Sequence, residues 1–373
     1  MPSARGESPV ASETVDTPLP AADTPWSLPR GLIVLLATAA AVVAVAGMKA
    51  FADILGPVFL ALMLTIAVQP IQGFARRHGL PAWVGMALAV VTAYAIVLGL
   101  LVILVISTAQ LATELPNYSG RFDDMLDGLR SVLADRGVGG EEIRTMLSDI
   151  DVRQVVSVLE TTLSGLAGVL SALAFVLALL LFMAVDGLSI DRRARILTAE
   201  RPAIATALRS FAIGTRRYLV VSTVFGLIVA VFDGLALWWL GVPLPLLWAV
   251  LSFVTNFIPN VGFVVGLVPP ALLALLAGGP ALMIWVVLLY SVINFVIQSV
   301  IQPKYVGDAV GLSVTVTFLS LIFWTWVLGA LGALLAIPLT LLLQAVLLDI
   351  DPSTRWVRAL ISSAPPKSDP GGE

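Results

Sequence analysis

The stretch Asn256–Pro270, NFIPNVGFVVGLVPP, decides how the rest of the chain is read. It lies in an apolar region, yet it holds three prolines, two glycines and two asparagines. Proline removes a backbone donor and clashes with the preceding turn. Glycine lets the backbone bend or be approached closely, and asparagine offers both a donor and an acceptor. In hydrocarbon, non-helical backbone is tolerated only where protein or a water-lined cavity satisfies the freed N–H and C=O groups, and transporters use such broken helices as binding sites. Asn256, Pro259, Asn260 and Gly262 are therefore candidate lining residues of a polar path. The same residue types also suit a tight turn between two short spans.

The surroundings place this stretch in a membrane. Of 373 residues, 59% are hydrophobic and 12% charged, and the mean hydropathy is +1.00. Soluble domains are roughly 45–50% apolar, so the chain reads as an all-α integral membrane protein. The net charge is −3 and no basic run with interleaved aromatics occurs, which argues against a nucleic-acid partner. With no cysteine and one histidine, His78, neither a thiol site nor a multi-histidine metal site is available, and no cofactor is expected.

About 20 apolar residues cross a bilayer core, which gives the following organisation: a disordered tail over 1–30, three spans over 31–107, a small helical domain over 108–162, a fourth span over 163–189, an arginine-rich amphipathic segment over 190–217, a transport region over 218–349 and a disordered tail over 350–373. In the last membrane region the apolar segments fall near 218–240, 243–258, 262–278, 281–301 and 314–348, and at least one is broken or re-entrant. Arg192, Arg193, Arg195, Arg201, Arg209, Arg216 and Arg217 dominate 190–217, whereas Glu114, Asp123, Asp124, Asp127 and other acids outnumber arginines between the third and fourth spans. Short basic loops stay inside, so 190–217 is assigned to the cytoplasm and the acidic domain to the outside.

Further candidates lie near the broken stretch. Asn294, Gln298 and Gln302 step by four and so share one helical face, which Pro303 ends. Three aligned amides suit a polar path, or hydrogen bonds between helices. Asp233 is an acid inside an apolar span and a candidate ion carrier, unless it sits at the outer interface. Lys304 is a charged candidate for an anionic or polyhydroxylated ligand, although lysines after helix ends also snorkel to the interface.

Four blocks in order carry a resemblance: GPVFLALMLTIAVQP followed by RRHGLPAWVGMALAV, then IPNVG, IQPKYVGDAVGL and GALGALLAIPL. With these the chain resembles the AI-2E (autoinducer-2 exporter) transporter family. The resemblance implies about eight transmembrane helices, an extracytoplasmic helical insertion after the third, and homo-oligomers. It also implies export of an autoinducer-2-like signal, or exchange of a monovalent cation for protons. The family pattern places a proline where this chain has Val314.

The expected function is thus a multi-pass transporter of the bacterial inner membrane, with a small polar solute or monovalent cation and membrane lipids as partners. A membrane enzyme is disfavoured, because no set of acid, base and nucleophile falls within the spans. A non-transporting scaffold that binds partners through its outer domain is the other reading.

Overall fold

In the computed structural model, residues 29–114, 120, 171–187, 189–259, 261–302 and 311–350 are described, and they contain α-helices and no β-strand. The tails, most of the 108–162 domain, Asn260, Pro303 and Lys304 lie outside the described residues. Residues 1–47 and 48–373 form two units. The first carries most of α1 (Arg30–Ala50), which is apolar throughout.

The second unit contains α2 (Ala52–Arg77), α3 (Ala82–Glu114), α4 (Ser171–Gly187), α5 (Ile190–Glu200), α6 (Pro202–Trp239), α7 (Pro245–Thr255), α8 (Gly262–Asn294) and α9 (Val314–Gln344). Among the described residues six helices, α1, α2, α3, α6, α8 and α9, are long and apolar enough to cross a membrane. Their outer faces are densely apolar: Val91, Phe232, Val264 and Ile322 are all exposed. A soluble protein would bury such surface, whereas a bilayer solvates it.

Prolines start two of these helices. Pro202 and Pro245 occupy the first turns of α6 and α7, where a missing N–H costs nothing. At 38 residues, α6 is about 57 Å long, roughly twice the ~30 Å hydrocarbon thickness. Its surplus is the arginine-bearing first part, with Arg209, Arg216 and Arg217. After Trp239 the chain turns within a few residues, through Gly241 at φ 71° and Leu244 at φ 57°, and the Trp248 indole N–H ties this link by donating to the Pro243 carbonyl at 3.0 Å. Helix α7 then runs back along α6. Contacts of Gly234 with Ala249, Asp233 with Ser252 and Gly226 with Asn256 place the two antiparallel.

Two long elements double back within themselves. In α8, Gly279 takes φ 81° and ψ −173°, a conformation only glycine adopts readily. Across it Ala274, Val286 and Tyr290 share one buried apolar cluster, although an unbroken helix would hold residues 274 and 286 about 18 Å apart. The segments expected at 262–278 and 281–301 are thus two arms of one broken element. In α9 the break is Gly329, at φ 65° and ψ −145°. Beyond it a β-carbon on Gly332 would overlap the Trp324 carbonyl oxygen, and the Trp324 indole N–H donates to Thr340 Oγ1 at 3.0 Å. The apolar segment expected at 314–348, too long for one span, owes its length to this fold. At its start Ser313 caps the helix by accepting from the Val316 N–H at 3.3 Å, so the helix begins at Val314 without a proline in its first turn.

Candidate functional site at the broken helices

The stretch that opened the reading is a true interruption. Helix α7 ends at Thr255, α8 begins at Gly262, and the chain between them turns sharply. A β-carbon on Gly262 would collide with the Thr255 carbonyl oxygen, so only glycine permits this return. Part of the freed backbone is satisfied within the turn: the Ile258 N–H donates to the Thr255 carbonyl at 2.8 Å, the Val261 N–H to Pro259 at 2.7 Å and the Gly262 N–H to Ile258 at 3.0 Å.

Helix α6 supplies further partners from one face. The Tyr218 hydroxyl donates to the Phe257 carbonyl at 2.7 Å. One turn further on, the Ser222 carbonyl accepts from Asn256 Nδ2 at 3.1 Å. The next turn is Gly226, where a β-carbon would lie 2.8 Å from that same Nδ2. The asparagine is therefore seated against bare backbone.

From the other side comes the amide face. After Asn294 the helix widens into a π-helical stretch, Phe295–Ile301, a distortion frequent at functional sites. Gln298 lies in it. Its Nε2 donates both to Asn256 Oδ1 at 2.9 Å and to Asn294 Oδ1 at 2.8 Å, while Asn294 Nδ2 donates to the Tyr290 carbonyl at 2.9 Å. The chain of amides runs from the α6 backbone through Asn256 and Gln298 to Asn294. Gln302 is half-buried at the end of the π-helical stretch.

Asp233 is fully buried within the protein, at 0% exposure. Its Oδ2 accepts from the Ser252 hydroxyl at 2.6 Å, and its Oδ1 has no partner. The Tyr290 hydroxyl is likewise buried without a partner, and it lies within electrostatic reach of Asp233. The surrounding wall is apolar: Leu237, Trp248 and Val286 pack in one cluster with Tyr290. Two unpartnered oxygens in dry surroundings are costly. Such a cluster can hold a proton, a water or a cation.

The structure thus brings together Asn256, Pro259, Gly262, Asn294 and Gln298, and places Asp233 on the same helix as their α6 contacts. Sequence reasoning missed Tyr218, Ser222, Ser252 and Tyr290. A lone serine or tyrosine in an apolar run gives no periodic signal. The available clue was spacing, since Tyr218, Ser222 and Gly226 recur every four residues on one face of α6.

Long apolar helices, two of them folded back, with polar groups gathered at a break, define a multi-pass membrane protein of the transporter class. Comparison with known proteins narrows this class. The profile of the AI-2E family transporters matches residues 32–351, and the chain belongs to that family. It is 30% identical over 318 residues to the Escherichia coli K12 protein named "Putative transport protein YhhT", covering 85% of this chain and 91% of that one. A Haemophilus influenzae protein named "Putative transport protein" is 30% identical over 333 residues, covering 88% and 95%. The "AI-2 transport protein TqsA" of Escherichia coli K12 is 27% identical over 318 residues, covering 85% and 92%. Family and relatives point to membrane transport rather than to an enzyme.

Proposed function

We propose that this protein moves a small polar solute, an autoinducer-2-like signal, outward across the bacterial inner membrane through its second half. The observation that carries this reading is the Gln298–Asn256 hydrogen bond, which joins the broken stretch to the π-helical stretch. Each element alone would be an expensive interruption in hydrocarbon. Together they make a polar seam whose amides can exchange their mutual hydrogen bonds for those of a hydroxylated solute. Asn256, Pro259, Gly262, Asn294, Gln298 and Gln302 line that path, and Asn260 and Lys304, outside the described residues, are assigned to it from the sequence alone. The name of TqsA supports the solute class.

A second reading, exchange of a monovalent cation for protons by an antiporter, is favoured by Asp233, a buried carboxylate with one unpartnered oxygen. Intramembrane acids are by default functional candidates. Flux of solute and of cations into liposomes holding the purified protein tests both. Solute flux without cation dependence supports the first, and cation-for-proton exchange without solute supports the second. Neither flux, in folded protein that still binds partners through its outer domain, would leave the scaffold reading. Homo-oligomers, the outside position of 108–162 and the cytoplasmic position of 190–217 belong to the same proposal.

A further inference from the structure

Away from the broken helices, the C-terminal end of α2 faces α5 and α6 across a hollow of about 690 Å³. Arg76 and Arg77 line it from α2 and Arg216 from α6, with Gln72, Phe74 and Ile190 among the other residues around it. No acidic side chain occurs among its described lining residues. Two arginines at the end of α2 have an ordinary explanation, because cations suit the last turn of a helix. Arg216 has none of that kind: it lies in the interior of α6, half-buried, 14 residues after the helix begins. It brings a second guanidinium to the hollow beside that of Arg77, and the two concentrate positive charge that a bound anion would offset.

The rest of the lining narrows the anion. Guanidinium forks match the oxygens of phosphate, and the Gln72 side chain is a neutral donor. Phe74 and Ile190 are 61% and 51% exposed, presenting apolar surface beside the charges. A soluble phosphate compound has no use for that surface, whereas a phospholipid has both a phosphate and an apolar body. Ile190 and Arg216 also belong to the 190–217 segment, which its arginines assign to the cytoplasmic side, where basic pockets between membrane helices take acidic headgroups. We propose that this hollow binds the phosphate of an acidic phospholipid headgroup, held by Arg77 and Arg216 and flanked by Phe74 and Ile190. The site is separate from the solute path and does not depend on what is transported.

The test uses the full chain purified in detergent, with phosphatidylglycerol, phosphatidylcholine and glycerol phosphate as probes. Retained lipid is read by native mass spectrometry and stabilisation by thermal unfolding. Phosphatidylglycerol is expected to bind and stabilise, with phosphatidylcholine much weaker. A basic residue near a membrane surface contributes about 1 kcal/mol, or roughly fivefold in affinity. Arg77→Gln with Arg216→Gln should therefore weaken phosphatidylglycerol binding roughly 25-fold. Arg192→Gln with Arg195→Gln, on α5 and outside the lining, should change it far less. Arg216→Lys keeps the charge but loses the fork, and an intermediate loss is expected. Equal loss in the α5 control, or no loss in the lining variants, overturns the pocket. Stabilisation by glycerol phosphate equal to that by phosphatidylglycerol overturns the lipid as its source.

Discussion

The side-chain amide of Gln298 lies 2.9 Å from Asn256 Oδ1, although 42 residues separate the two in sequence. Between them come the broken stretch and both arms of α8, so this bond spans a complete excursion of the chain. A hydrogen bond between membrane helices contributes about 0.6–2 kcal/mol. That is enough to hold a geometry and little enough for a solute to replace.

The first prediction concerns this pair. Asn256→Leu and Gln298→Leu should each lower flux per folded molecule, and their combined effect should fall short of the sum, because they share one bond. Liposome flux normalised to folded protein measures it. Normal specific activity in both single variants would reduce the seam to structural glue.

Asp233→Asn keeps the size of the side chain and an acceptor for the Ser252 hydroxyl but cannot carry a proton. We predict that folding and expression persist while ion-driven flux is lost. Unchanged coupled flux would remove Asp233 from the mechanism.

Substitution of Gly262 should be a folding lesion. An alanine there meets the Thr255 carbonyl, and overpacking costs about 1–3 kcal/mol or more. Thermal unfolding of Gly262→Ala in detergent should show a clear loss. Gly99→Ala, where nothing lies within 4 Å of the new carbon, should be neutral or slightly stabilising by up to ~1 kcal/mol.

Single cysteines at Ser131 and Thr206 test the orientation in a chain that has no cysteine of its own. An impermeant thiol reagent applied to intact cells should label position 131 and spare position 206. Labelling of position 206 from outside would invert the topology.

Legibility in the sequence followed the chemistry of each residue. Pro259 and Gly262 announced the break because proline removes a backbone donor and glycine admits a close return of the chain. The GGP of 278–280 separated two expected segments for the same reason. Gly329 did not announce itself: flanked by Leu328 and Ala330 with no proline nearby, it looked like one small residue in an overlong span. The amides of Asn294 and Gln298 stood out by their spacing, but that Gln298 would meet Asn256 depended on the reversal at Gly279. Tyr290 was silent, since a tyrosine among leucines and valines reads as packing, and its unpartnered hydroxyl becomes visible only when the neighbouring oxygens are placed.

The shortness of α7 fixes a depth. Trp238 and Trp239, 71% and 77% exposed at the end of α6, are the residues that settle at a membrane's interfacial belt. Helix α7 starts just past them and has 11 residues, which carry the chain only about 16 Å inward, half of a ~30 Å apolar layer. Beside α6 the turn at Asn256 lies level with Gly226, about 20 Å along that helix from Trp239, and so well inside such a layer rather than at its rim. In the proposed path, a tilt of either flanking arm would expose this seam to one compartment while keeping it shut to the other, the fulcrum of an alternating gate.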